Sequence, residues 1–517
     1  MEEPKPVTQT PQPEPKTSTL AILSLIFALI GICFSPFLLP ALIIGIIALA
    51  KIKRNRATLK GKGLAVAGII ISIIVILAIA TLAAIFIPPL ISKTPAENHY
   101  DKGTSYYNRN NYDEAIIEFT KAIELNPKDT NFYYWRGKTY EYKKEYDKAI
   151  VNFNKAIELN PADNMTYLSR GEVYYAKKEY DKGMVDFDKA IEINQTYHIP
   201  YYWRGSIYYN KKEYDKAIVD FTKAIELAPK DCDYYYRRGR AYYDKKENDK
   251  AIADYSKAIE LNPADNMTYL SRGEVYYAKK EYDKGMVDFN KAIEINQTYH
   301  IPYYWRGITY YDKKEYDKAI VDFTKAIELA PKDCDYYYRR GKAYDYKKEY
   351  DKAIVDFNNA IELNPKDIYY YKSRGDVYYE KEEYDKAIAD YTKAIELNPA
   401  DKMTYLSRGE AYYCKNEYDK GIADLNKTIE IDQTYYISYH WRGLAYYDKK
   451  DYDKAIADFT KAIELNPKDV NAYSWRGLAY YDKKDYDKAA VDLEKAIELD
   501  PSREEKIRPY IDKAKEK

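Results

Sequence analysis

Glycine falls at 103, 137, 171, 205, 239, 273, 307, 341, 375, 409, 443 and 477, every step being 34 residues. A period held twelve times without an insertion excludes a single globular core, because each period has room for one supersecondary unit. With glycine as position 8 of the period, twelve units run from Ala96 to Arg503. Most carry Ala at 20, Ala at 27 and Pro at 32 together, as in Ala115, Ala122 and Pro127, or Ala455, Ala462 and Pro467. Positions 4, 7, 8 and 11 share one face of a first helix, and 20, 24 and 27 one face of a second. In the second unit these are Tyr133, Arg136, Gly137 and Tyr140, then Ala149, Phe153 and Ala156. Pro127 and its equivalents end each second helix. One helix pair cannot bury its apolar face alone, so neighbours must stack.

This pattern of small, aromatic and proline positions resembles the tetratricopeptide repeat along the whole array. The resemblance implies an all-α, helix-turn-helix solenoid, wound as a right-handed superhelix, whose first helices line a concave groove through positions 2, 5, 9, 12 and 13. Position 12 is Tyr in ten of twelve units, among them Tyr175, Tyr209, Tyr243, Tyr277 and Tyr311. Position 5 is Tyr in six, including Tyr134, Tyr202, Tyr236 and Tyr304. Position 9 alternates in charge, with Lys138, Arg240 and Lys342 among Glu172, Glu274, Asp376 and Glu410. Tyrosine offers large contact area, few rotors and a polar tip. A mixed-charge, aromatic trough suits an extended peptide or protein segment; the alternative is that the position 12 tyrosines pack between units and bind nothing. The chaperone-tail carboxylate clamp of this fold needs Lys at 5 and Asn at 9. Only Lys372 meets the first condition and no unit meets the second.

Two slots depart from the family pattern. Position 7, usually aliphatic, is Arg in eleven units and Lys102 in the first, while position 23 is acidic in eleven, with Asn152 the exception. A partly buried charge needs a partner, so an arginine-to-aspartate ladder is expected along the array, Arg204 being one rung. Gly183, Gly285 and Gly421 stand at position 20 in the same units where Gln195, Gln297 and Gln433 replace the proline. Glycine inside a helix costs ~1 kcal/mol, so these joints are candidate soft points. Residues 162–263 and 264–365 are nearly identical 102-residue blocks, which makes simple copying the bland account.

Ahead of the array, residues 1–19 are a proline-rich tail with almost nothing to bury, expected to be disordered. No basic n-region or cleavage site marks a signal peptide. Leu20 to Ala50 and Leu64 to Ile91 hold no charge over 31 and 28 residues. Each exceeds a ~30 Å hydrocarbon core, so two transmembrane helices, 20–50 and 64–91, are expected within a membrane anchor spanning 20–91. A hairpin around Ser35 and Pro36 is a minor alternative. The loop 51–63 has six basic residues and no acid. The positive-inside rule puts it in the cytoplasm and the array outside, as a multi-pass cell-membrane protein. Ala41 with Gly45, and Gly63 with Ala67, have spacing that would let the helices approach closely. This region resembles a small bacterial membrane domain of unknown function, through Ala21 to Leu25, Gly45 to Lys53 and Gly61 to Gly68.

A linker at 92–97 leads into the repeats at 96–503, and 504–517 reads as a C-terminal capping helix. Ser502 and Glu505 are placed for a capping box, and Ile507, Ile511 and Ala514 for the buried face. Pro509 either breaks this helix or starts it late.

Function classes narrow accordingly. Lys plus Arg is 82 and Asp plus Glu is 82; a phosphate-driven nucleic-acid binder would be basic. The 4 Cys and 4 His are scattered, which argues against a disulfide framework or a zinc site. No Walker loop, no Ser or Cys fixed beside a His and no cofactor motif is found. The expectation is a non-enzymatic, membrane-anchored scaffold that binds a protein or peptide partner, without cofactor or metal. The alternatives are a structural or self-associating spacer, or a regulatory subunit of a separately encoded enzyme.

Overall fold

The spacing of small residues explains the architecture. A computed structural model describes residues 93–516, in which 25 α-helices alternate as first and second members of hairpins and no strand occurs. The described residues fall into two compact units, ending at Pro161 and starting at Ala162. The first holds two hairpins and the second the remaining ten, plus a last helix. The expected tail, transmembrane helices and basic loop lie outside the described residues. Among the described residues no helix is long and apolar enough to cross a membrane.

In ten of the twelve hairpins the glycine at 8 lets the first helix meet the aromatic at 24 of the second, and in the other two it meets Leu425 and Leu493. A methyl added at Gly307 would sit 2.7 Å from Phe323 Cε1, and at Gly137 2.7 Å from Phe153 Cε1. Those phenylalanines are fully buried, as are the alanines at 20 and 27. The first helix buries two further positions that the period does not announce. Val173, Ile207 and Val275 at position 10 are buried completely, and Phe132, Thr166 and Tyr234 at position 3 nearly so. The position 11 tyrosines, expected in the core, are only half-buried: Tyr208 and Tyr446 lie under the ammonium groups of Lys216 and Lys454, at 5.3 and 5.2 Å. A first helix touches both its own partner and the preceding hairpin, so its buried stripe is wider than one face of a pair.

The arginine ladder is present. From Arg170 to Arg476, ten guanidinium groups bridge to the aspartate sixteen residues on, as Arg204 does through Nε and Nη2 to Asp220 at 2.8 and 2.7 Å. The remaining Nη1 reaches back to position 25 of the preceding unit, for example Arg238 to Thr222 and Arg306 to Asn290. From Arg204 on, each rung thus ties two helices of one hairpin and a third helix of its neighbour. Burial pushes the carboxyl groups of Asp220, Asp322 and Asp356 up, and the bidentate guanidinium pulls them back. Arg136 makes a neutral rung to Asn152. The first unit has none: Lys102 is exposed, and Glu118 pairs instead with His99 and Lys121.

The helices containing Gly183, Gly285 and Gly421 run 14 unbroken residues, like the others. Their joints keep the contact seen at proline joints: the position 4 hydroxyl donates to the position 32 carbonyl in both Tyr201 to Gln195 and Tyr235 to Pro229. What they lose is the side-chain cap on the next first helix, which Asp231 and Asp333 supply elsewhere and Tyr299 and Tyr435 do not. At the C-terminus the expected capping box is absent. Ser502 instead donates to Asp500, which caps a short 3-10 turn, and the helix Glu504–Lys515 follows with Arg503 at its N-cap. Pro509 sits inside that helix without ending it, and Ile507, Ile511 and Ala514 are buried against Ala490, Leu493 and Ala496.

Candidate partner-binding face

First-helix residues left partly open are the candidates for recognition, and their geometry is set by the rungs beneath. In residues 93–161, Tyr134 is half-buried beside Trp135 and Phe153. Lys138 pairs with Glu141 at 2.8 Å and lies 5.9 Å from the Tyr142 ring.

In residues 162–516 the position 12 tyrosines knit neighbouring hairpins. Tyr209, Tyr277, Tyr413 and Tyr447 donate to Asp244, Asp312, Asp448 and Asp482 of the next unit, at 2.5 to 2.6 Å. Tyr175 accepts from Asn210 Nδ2 at 3.0 Å, and Tyr311 packs edge-on against Tyr346. Burial, together with the Asp244 carboxylate, pushes the Tyr209 hydroxyl up to about 12. Tyr243 packs against Ala251 and Tyr255. The hydroxyls of these residues are largely committed, so ring faces and edges are what they offer a ligand.

The position 5 tyrosines sit two turns earlier. Tyr202 contacts Trp203, Phe221 and Tyr234. Tyr236 meets Tyr255, and Tyr304 packs on Tyr336 while donating to Asp335. Arg240 places its guanidinium 5.3 Å over the Tyr209 ring, and Lys342 pairs with Asp345 at 2.9 Å. The acids at position 9 are strained in another sense. Burial pushes Glu274 up to about 7, against the pull of Arg240, and Glu410 up to about 7, with Asp376 adding repulsion. Asp376, also raised by burial, accepts from Tyr391 at 2.9 Å. Among the described residues no group of three or more His, Cys, Asp or Glu is placed to hold a metal ion.

The family model described as TPR repeat matches residues 103–143, 239–280, 273–314, 375–415 and 443–484. Models described as Tetratricopeptide repeat match 131–163, 199–231, 301–333, 334–367 and 470–503, and 166–197. The chain is built of tetratricopeptide repeats. Residues 20–82 match a Domain of unknown function (DUF4190). No curated protein matches the chain. Among solved structures, the tetratricopeptide array is similar to the APC/C hetero-tetramer Cut9-Hcn1, at 14% identity and TM-score 0.40, covering 82% of this chain and 97% of that one. It is also similar to yeast Tom70, at 18% identity, TM-score 0.33 and coverage of 81% and 95%. YrrB, titled a TPR protein with an unusual peptide-binding site, shares 26% identity at TM-score 0.32, covering 35% of this chain and 92% of that one.

Tetratricopeptide proteins are generally non-enzymatic protein-interaction scaffolds, and no catalytic family is matched. The sequence reading of this tetratricopeptide array missed two residues on the open face. Arg237 and Arg339 stand at position 6, outside the five groove positions the family pattern supplies. The signal was present as Arg-Arg at 237–238 and 339–340, where five other units have Trp before the ladder arginine.

Proposed function

We propose that this chain is a membrane-anchored scaffold whose first-helix face binds a protein or peptide partner. The observation that carries the reading is the row of tyrosines at positions 5 and 12, fixed by neighbouring hairpins and topped by cations, as Arg240 is over Tyr209 and Arg237 over Tyr202. Rigid aromatic surface with few rotors to freeze is what a recognition face needs. Anchoring is supported by the uncharged runs 20–50 and 64–91, and the outward placement of the array by the basic loop between them. Capture of a partner by the full chain in detergent tests binding. Changing Tyr209, Tyr243 and Tyr311 to Ala should lose the partner while helicity is retained; capture unaffected by the triple change would favour a spacer. Protease shaving of intact cells tests the topology, with digestion of the array expected from outside.

A further inference from the structure

We propose that the open face of residues 162–516 carries two equivalent subsites for acidic peptide side chains, one built on Arg237 and Arg240, its copy on Arg339 and Lys342. A single partner chain with two acidic motifs would engage both. The proposal rests on the partner-binding reading above and names the chemistry of that partner.

The argument starts at position 6. Trp135, Trp203, Trp305, Trp441 and Trp475 fill this slot in five units, and arginine fills it only at 237 and 339. Both arginines have a buried Nε with no acceptor. Each arginine has a loose ion pair four residues back, to Asp233 Oδ1 at 3.6 Å and Asp335 Oδ1 at 3.7 Å, too long for a hydrogen bond. The side chains are 38% and 40% exposed, so each fork is part desolvated and part open. Asp335 accepts from the Tyr304 hydroxyl through Oδ2 and turns Oδ1 toward Arg339 without closing a hydrogen bond to Nε, and Asp233 Oδ1 stands likewise off Arg237. A desolvated Nε–H without an acceptor is a cost that a ligand carboxylate offsets, and the planar fork fits a carboxylate in two-point contact.

One turn on, Arg240 lies over Tyr209 and makes no ion pair among the described residues; the carboxylates it acts with are Asp244, which accepts from the Tyr209 hydroxyl, and Glu274 of the next unit. In the copy, Lys342 is paired with Asp345, which makes that subsite the weaker of the two. The neighbouring ladder arginines, Arg238 and Arg340, hold each first helix against its partner and so fix where Arg237 and Arg339 project. The two subsites recur because the stretch Cys232 to Gly239 is repeated residue for residue at Cys334 to Gly341. Two sites of like chemistry on one chain reward a ligand that spans them, since the second contact is intramolecular.

The test uses the full chain in detergent and a fluorescein-labelled Glu-Glu-Tyr-Glu-Glu peptide, its all-glutamine analogue, and tandem versions joined by a series of Gly/Ser linkers. The acidic peptide should bind at two sites per chain and lose affinity with salt. Arg237→Gln with Arg240→Gln should leave one site, and adding Arg339→Gln should leave none, with circular dichroism unchanged because the ladder is intact. The best tandem peptide should bind roughly 10²-fold tighter than the single one, and the first pair of substitutions should abolish that gain. Failure of the acidic peptide to bind, equal binding of the glutamine analogue, or two sites persisting in the triple variant would each overturn the subsites. Partner capture in the pull-down would survive any of these, which separates this failure from that of the binding face itself.

Discussion

Arg237 and Arg238 are neighbours in sequence and opposites in structure. Arg238 spends its whole fork between packed helices: Nε and Nη2 to Asp254 of its own hairpin at 2.7 and 2.8 Å, Nη1 to Thr222 of the preceding one at 3.0 Å. Arg237, on the open face, makes no hydrogen bond through Nε, and its nearest carboxylate stands 3.6 Å off. The pair at 339 and 340 repeats the contrast. Charge in the seam between helices holds the fold, whereas charge on the face is left for something else. The sharpest way to break this comparison is to delete each arginine in turn. Arg238→Ala leaves Asp254 buried without its counter-charge, and about 3–5 kcal/mol of local stability is expected to go. Arg237→Ala should change stability by no more than about 0.5 kcal/mol. Hydrogen exchange of the helices Cys232–Asp244 and Asn248–Leu261 reads both. Equal losses would erase the distinction between seam and face.

The acids sharpen the same contrast. Seam aspartates have a guanidinium fork; Glu410 on the face has no ion pair among the described residues and is pushed up to about 7 by burial and by Asp376. A carboxyl with a folded-state pKa above its unfolded value near 4.5 binds its proton more tightly when folded. Its contribution is therefore complete below about pH 4.5 and is lost as pH rises through about 7. Glu410→Gln should remove that loss, gaining about 3 kcal/mol at most above pH 7 and nothing near pH 4. Melting the wild-type chain and the variant at pH 5 and pH 8 tests this, because titrations not coupled to Glu410 cancel in the difference. A gain that did not depend on pH would refute the assignment. Next in size is the seam's steric side. Gly307→Ala drives a methyl to 2.7 Å from the fully buried Phe323 ring, and such overpacking costs ~1–3 kcal/mol. Phe323→Leu in the same chain should recover part of the loss.

Much of the seam was legible in the sequence because its slots are filled alike in unit after unit. Gly at 8, Ala at 20 and 27, the aromatic at 24 and the Arg-to-Asp spacing of sixteen all follow from one period and the rule that buried charges pair. Positions 3 and 10 were not legible, although Val173 and Ile207 are fully buried. They meet the neighbouring hairpin, where Val, Ile, Thr or Ala serves equally well, so no single residue type marks them. The open face was half legible. Tyr202 and Tyr209 stood out by repetition, but repetition cannot tell a ring that binds a partner from one whose hydroxyl is spent on Asp244. Arg237 was hidden by its neighbour, since the ladder accounted for one arginine and nothing in the period asked for a second.

The smallest effect is expected at the turn inside each hairpin, which belongs to neither seam nor face. Twelve residues there have left-handed backbone, from Asn110 at φ 61° to Lys484 at φ 67°, and none is glycine. Lysine fills most of these positions and pays roughly 1 kcal/mol for a conformation that crowds its Cβ against the carbonyl oxygen. At Lys212 the side chain is exposed, and the amide donates to the Tyr209 carbonyl at 2.9 Å whatever the side chain. Lys212→Gly therefore removes that strain while the added entropy of the unfolded chain costs about half as much. A net gain of about 0.5 kcal/mol is expected, and less at Asn416, since asparagine tolerates this region better. Exchange rates in the helices His198–Asn210 and Tyr214–Leu227 should slow slightly and together, with peptide binding at Arg237 untouched. A change at this turn that altered binding as much as Arg237→Gln would mean that the face is set by hairpin geometry rather than by its own side chains.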